Sequence, residues 1–280
     1  ISVLMTPQHR VPYRTMAANP IHDCRAHSLH LVKGRIPVNG FYAGEQPMQV
    51  SRNTLSLAVA IQADGKLRGH KIKFHLVKKR KIQRLKQLLA NTFYTIKPST
   101  SNPKAVWIDF SLDDTPDIHE LLWFEGNKKY FEPSLCHLPL EEREHLLEEL
   151  LLWDGTKGPT GRKAYFTTNE YNAKMVQTIA SLTGVQSLVH KLIDKRGNRK
   201  PLYVVSFNRR QYARIQNATI TKVPYTGKVY CVTVPTSYFL IRHNNKISVT
   251  GNSNYGMGAG KLAELSGMSY HESEEKMNLY

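Results

Sequence analysis

The sequence predicts a mixed fold: a duplicated α/β unit inserted into a domain of short β-strands. Three observations carry this. Two apolar helical stretches, NTLSLAVAIQADG and LLEELLLWDG, end in Asp-Gly about 90 residues apart, and each leads into a strand and then a second helix. From Gln211 onward the texture becomes short alternating runs, ATITKV, GKVYCVTV, YFLIRH and KISVTG, which read as strands. From Ser253 the chain turns helical and acidic, so a boundary near Asn252 follows from composition.

Taken in order, the first dozen residues read as a strand with a turn around Pro12. An irregular polar stretch to about Arg52 follows, broken by Pro20, Gly34, Pro37, Gly40 and Gly44. Residues 53–63 are predicted helical, with Asn53 as cap. KIKFHLV (71–77) alternates as a strand does. The basic run 78–91 is a helix with Ile82, Leu85, Leu88 and Leu89 on one face. A proline-flanked segment with an acidic patch (Asp109, Asp113, Asp114, Asp117) separates the copies. The second begins with helix 141–153, whose glutamates lie where the helix dipole favours them. Strand 162–168, a helix capped by Asn169 and the hairpin SLVHKLID/PLYVVSF complete it.

A formal charge of +17 in 280 residues suits a polyanionic partner, since each phosphate neutralised by Lys or Arg releases counterions. No apolar run approaches the roughly 18–20 residues of a membrane span, so no membrane partner is expected. No secretory leader is visible. Cys24, Cys136 and Cys231 lack metal spacing and read as reduced thiols, which predicts a cytoplasmic protein.

One Asp-Gly after a helix is ordinarily a cap and turn. Two, each at the head of the same helix–strand–helix order, resemble the LAGLIDADG homing endonucleases. The first element matches that signature at Leu57, Ala58, Ile61, Ala63, Asp64 and Gly65. The resemblance implies a pseudo-symmetric αββαββα pair over 51–210 whose helices pack together, with Asp64 and Asp154 meeting at duplex DNA to hold Mg²⁺. Hard carboxylates suit that ion, which stabilises attacking and leaving oxygens in phosphodiester hydrolysis. Candidate DNA contacts are Lys71, Lys73, Arg162 and Lys163 on the strands, with Lys78, Lys79, Arg80, Lys81, Arg199 and Lys200 for phosphates. A solvated basic face is the alternative for these runs. The sequence departs from the pattern with Val59, Glu149 and Trp153 where small interface residues are usual, and Gln62 replaces the motif's first aspartate.

VYCVTVPTSYFLIRHNNKISVTGNS resembles the C-terminal splicing blocks of inteins, and VLMTPQHRV resembles the block with a Thr-x-x-His core, here Thr6 and His9. This implies a Hedgehog/intein-like splicing domain from 1–50 and 211–252, completed by an upstream extein or a separate N-terminal intein fragment. Asn252 would cyclise through its side-chain amide, Ser253 would accept the acyl group, and Thr6 and His9 would polarise the upstream scissile amide, with no cofactor. Cys231 stands where aspartate is usual and is a candidate for proton transfer; a buried strand cysteine is the alternative reading. Gly251 occupies the place of the usual penultimate histidine. The tail, SNYGMGAGKLAELSG within 253–280, resembles the fingers-helix motif of phage-type family A DNA polymerases, which implies a polymerase host. A module that binds DNA or RNA without chemistry is the competing class.

Overall fold

A computed structural model describes residues 5–15, 20–42, 47–194, 197, 200–208, 210–215, 221–227, 234, 236–251, 269 and 271. The expectations at Cys231, Arg199, Asn252 and Ser253 lie outside these residues, as does nearly all of the polymerase-like tail. The chain divides into two compact units, one of Ile1–Pro37, Tyr212–His243 and Ser248–Tyr280, the other of Val38–Gln211 with Asn244–Ile247.

In the first unit, β1 (Arg10–Thr15), β2 (His22–Arg25) and β3 (Gly34–Pro37) form an antiparallel sheet. The predicted turn at Pro12 is instead strand, because the turn comes earlier, where the His9 amide donates to the Thr6 carbonyl at 3.1 Å. The region read as irregular up to Arg52 also supplies β2 and β3. These strands are too short for alternation to stand out from composition.

The second unit contains the duplication. Its first copy runs α1 (Arg52–Asp64), β4 (Lys66–Arg68), β5 (Lys71–Leu76), α2 (Lys79–Leu88), β6 (Tyr94–Pro98) and β7 (Val106–Ser111). A hairpin of β8 (Leu122–Glu125) and β9 (Lys128–Phe131) follows, turning at Gly126 with φ +56°. The second copy runs α3 (Leu140–Asp154), β10 (Gly155–Lys157), β11 (Lys163–Thr167), α4 (Glu170–Leu182), β12 (Gln186–Leu192) and β13 (Leu202–Asn208). The two sheets have strand orders β4-β5-β7-β6 and β10-β11-β13-β12, all antiparallel, which is one topology used twice.

The remaining strands belong to the C-terminal segment. β14 (Tyr212–Arg214) extends the first unit's sheet to the order β14-β3-β1-β2. β15 (Tyr238–His243) and β16 (Lys246–Gly251) form a hairpin. Its turn is Asn244-Asn245, with φ of +47° and +59°; asparagine tolerates that left-handed conformation. Thr221–Val223, the described end of the run ATITKV, is in no regular element.

Ser51, and not Asn53, caps α1: its hydroxyl accepts from the Thr54 amide at 3.0 Å, while Asn53 donates to the Leu88 carbonyl at 3.0 Å. Asn169 caps α4 as expected. In α1, Leu55 through Gln62 are all buried, so this helix is covered on every side and forms the centre of the unit. It packs against α3, where Ser56 Oγ lies 2.8 Å from His145 Nε2. The cluster continues through Ile72, Phe74, Ile108, Leu146, Leu150, Tyr165, Val176 and Val205, joining both helices to the inner faces of both sheets.

Candidate active site

Asp64 and Asp154 are the last residues of α1 and α3, and each is followed by a glycine, Gly65 just before β4 and Gly155 at the start of β10. The glycines are required by crowding. A Cβ on Gly65 would stand 2.8 Å from the Ile61 carbonyl oxygen, and one on Gly155 would stand 2.6 Å from Leu151 Cα. Each strand therefore leaves its helix at once, with the aspartate at the corner.

The two carboxylates converge on one ammonium. Lys81 Nζ, in the first turn of α2, donates to Asp64 Oδ2 at 2.6 Å and to Asp154 Oδ1 at 3.1 Å. Its side chain is 8% exposed, whereas those of the aspartates are 30% and 33% exposed. The ammonium also lies 5.6 Å from the centre of the Trp153 ring, a cation–π distance. Lys81 belongs in sequence to the basic run 78–81 expected to contact phosphates, and it is the one member of that run that turns inward.

The ends of the two helices are fastened by other cations. Lys129 Nζ donates to the carbonyls of Ile61 at 2.9 Å and Gly65 at 2.6 Å. Burial lowers its pKa to about 8, against the opposing pull of Asp64 and Asp154. Arg80 donates to the Leu152 carbonyl near the end of α3. Cations at helix C-termini satisfy exposed carbonyls and oppose the dipole.

The departures from the small-residue helix pattern are accommodated by cross-packing. Trp153 turns to Phe74 on β5, with ring centres 6.4 Å apart, and donates from Nε1 to Glu149 at 2.9 Å. Glu149 is buried but held by two bonds from Arg84, at 3.0 and 2.6 Å. The hydrogen bonds to Glu149, with its charge, raise the Arg84 pKa against the opposing effect of burial. From the other side, Tyr165 on β11 donates to Gln62 on α1 at 3.1 Å. Each copy's helix thus reaches a sheet of the other copy.

The remaining predicted contacts are dispersed. Lys71 and Lys73 are exposed on the outer face of β5. Lys78 and Lys79 are exposed at the start of α2, and Arg162 is exposed just before β11. Lys163 and Lys157 instead pair with Glu148 on α3. A cleft of about 790 Å³ beside Asp154 is lined by Lys78, Arg80, Lys129, Lys200, Thr156 and Phe166, among others. The acidic patch spreads over β7 and two short 3₁₀ turns, and no group of three or more potential metal ligands occurs among the described residues.

In the first unit His9 Nε2 lies 2.5 Å from Thr250 Oγ1, while Thr6 forms the turn that presents His9. Burial lowers the His9 pKa by disfavouring the charged imidazole. The residue that sequence reading missed is Lys129. Its signal was present, since LWFE and KKYF flank Gly-Asn as hairpin strands do.

No protein-family model matches the chain. Structural neighbours are LAGLIDADG proteins. I-DmoI in complex with DNA and Mn has 13% identity and a TM-score of 0.40, and the match covers 56% of this chain and 91% of that one. The N-terminal LAGLIDADG domain of DUF199/WhiA has 15% identity and a TM-score of 0.36, covering 57% and 78%. A curated relative, the ribonucleoside-diphosphate reductase subunit beta of Aquifex aeolicus (strain VF5), is 24% identical over 217 residues. That match takes in 70% of this chain but spans only 30% of the relative. No helix among the described residues is long and apolar enough to cross a membrane.

Proposed function

We propose that the larger unit is a duplex-DNA endonuclease of the LAGLIDADG homing kind, carried within an intein whose downstream junction is Asn252–Ser253. The observation that carries the nuclease reading is the convergence of Asp64 and Asp154, from two copies of one topology, on a single cation. Two partly exposed hard carboxylates already gathered around a positive charge fit Mg²⁺, which takes few protein ligands and fills its shell with water and phosphate. Held by Asp64 and Asp154, the ion would supply an activated water and neutralise charge on the phosphate. The chain's own residues do the rest. Lys78, Arg80 and Lys200 line the adjoining cleft and would hold the DNA backbone. Lys81 keeps the two carboxylates together when no other cation is near, and Lys129 fixes the end of α1.

The same ammonium favours a second reading, a DNA-binding module without cleavage, because it already neutralises both acids. One experiment separates the two. The chain is incubated with a library of randomised duplexes in MgCl₂, and captured ends are sequenced. Defined double-strand ends, lost in Asp64→Asn and Asp154→Asn while duplex retention persists, support cleavage. Retention without ends supports binding alone.

The splicing reading draws support from the first unit, where His9 and Thr250, at opposite ends of the chain, share a hydrogen bond. A match confined to less than a third of a longer protein with another activity is also what a mobile insertion would produce. In this reading the Asn252 amide nitrogen attacks its own carbonyl carbon, the bond to Ser253 breaks, and the Ser253 nitrogen takes up the proton. The Ser253 hydroxyl is the nucleophile for the upstream acyl group, which an upstream extein or a separate N-terminal intein fragment would supply. Cys231 is retained as a candidate for proton transfer, and the host remains a DNA polymerase. Intact mass followed over time tests this. Loss of residues 253–280, absent in Asn252→Ala, supports it, and an unchanged mass with and without a supplied N-terminal fragment sinks it.

A further inference from the structure

The two sheets share a strand order but differ in the chemistry of their outer faces. Directly opposite residues in antiparallel strands point to the same side. On the first sheet, Lys66 faces Lys73, Arg68 faces Lys71, and Lys97 joins the same side through Trp107. Five cations therefore stand on this face, opposite buried Ile72, Phe74 and Ile108. On the second sheet the equivalent face carries Thr156, Phe166, Leu188, His190, Val204 and Ser206, opposite buried Tyr165, Val189 and Val205. It has no lysine or arginine from the four strands. Lys157 and Lys163 fall on the core side with Glu148, and Lys191 lies 5.9 Å over Tyr203. The cationic cleft beside Asp154 reaches this apolar face at Thr156, Phe166 and Leu202.

We propose that the two halves recognise duplex DNA by different means. The first sheet supplies the electrostatic hold. The second reads an A·T-rich half-site through contacts of Phe166, Leu188 and Val204 with thymine methyl groups, with Ser206 and His190 as hydrogen-bonding partners and the cleft cations at the phosphates. Apolar side chains in the major groove discriminate thymine by its methyl, whereas lysine and arginine favour guanine or phosphate. This rests on the DNA-binding reading above.

The full chain, without Mg²⁺, is used to select duplexes from a randomised library. The selected duplex is then remade with deoxyuridine for thymidine in one half or the other. Each buried methyl lost should weaken binding about fourfold, and only in the half under the second sheet. Lys71→Gln with Lys73→Gln should reduce the slope of log affinity against log salt by about two, while Phe166→Leu leaves the slope unchanged. Equal or absent uracil effects in the two halves, as expected if that face serves another protein, would overturn the proposal. So would a salt slope indifferent to the lysine substitutions. Retention of no duplex at all would overturn the DNA-binding reading itself, and this proposal with it.

Discussion

Replacing Lys81 by methionine should expose the repulsion that this residue suppresses. The two bonds to its ammonium, 2.6 and 3.1 Å, laid end to end, place the aspartate oxygens no more than about 5.7 Å apart. Two unit charges at that distance repel by about 3 kcal/mol at an effective dielectric of about 20, and by about 0.7 kcal/mol in water. With both side chains roughly a third exposed, a cost near 2 kcal/mol is expected, equivalent to a fall in Tm of about 4–8 °C. Methionine keeps the apolar stem beside Trp153, so packing is little changed. Mg²⁺ should rescue the variant, since at about ten times its Kd it contributes about 1.4 kcal/mol, and in the wild type it must first displace Lys81. Thermal melting of both proteins at pH 7, with and without MgCl₂, measures both effects. A variant that melts with the wild type at pH 7, or that gains no more than the wild type from Mg²⁺, would falsify the assignment of Asp64 and Asp154 as one cation site.

Further outcomes follow from the same geometry. With a folded-state pKa of about 8 against an ordinary 10.5, Lys129 carries its full burial cost below pH 8 and sheds it as pH rises toward 10.5. Wild-type stability should therefore gain up to about 3 kcal/mol relative to Lys129→Met across that window, read by urea denaturation; a flat difference refutes the burial argument. Glu149→Ala strands the Arg84 guanidinium and the Trp153 N–H, and should cost about 3–5 kcal/mol by the same method. Gly251→Ala would set a methyl 2.7 Å from Arg10 Cβ and 2.8 Å from the Arg10 carbonyl oxygen, so a loss of about 1–3 kcal/mol is expected. By the same crowding, Gly251→His should slow release of the C-terminal tail, and acceleration in the mass assay would refute this.

Much of the duplicated unit was legible because its signals are local. Apolar runs ending in Asp-Gly, alternation in KIKFHL and the Asn169 cap depend on residues within a turn or two of one another. The hairpin carrying Lys129 is equally local, but its two strands of four residues each are too short for alternation to stand out beside the Gly-Asn turn. Ser51 and Asn53 are both good caps by type, and only the approach of Leu88 decides between them, by drawing Asn53 away. In the first unit, strands of four to six residues interrupted by Pro12 left too short a period to register.

The sequence by itself determined that two helices end in Asp-Gly, each at the head of the same helix–strand–helix order, and that the chain carries far more positive than negative charge. Tertiary structure alone decided which cations meet which acids. Lys78, Lys79, Arg80 and Lys81 are chemically alike and adjacent, yet one is buried between two carboxylates while Lys79 faces solvent. The difference arises because a helix turns its side chains by about 100° per residue, so the packing of α2 against α1 selects a single position to face the aspartates. The two faces of a sheet are divided in the same way, by register with strands far away in sequence, which is why Lys73 is exposed while Lys163 is tied to Glu148.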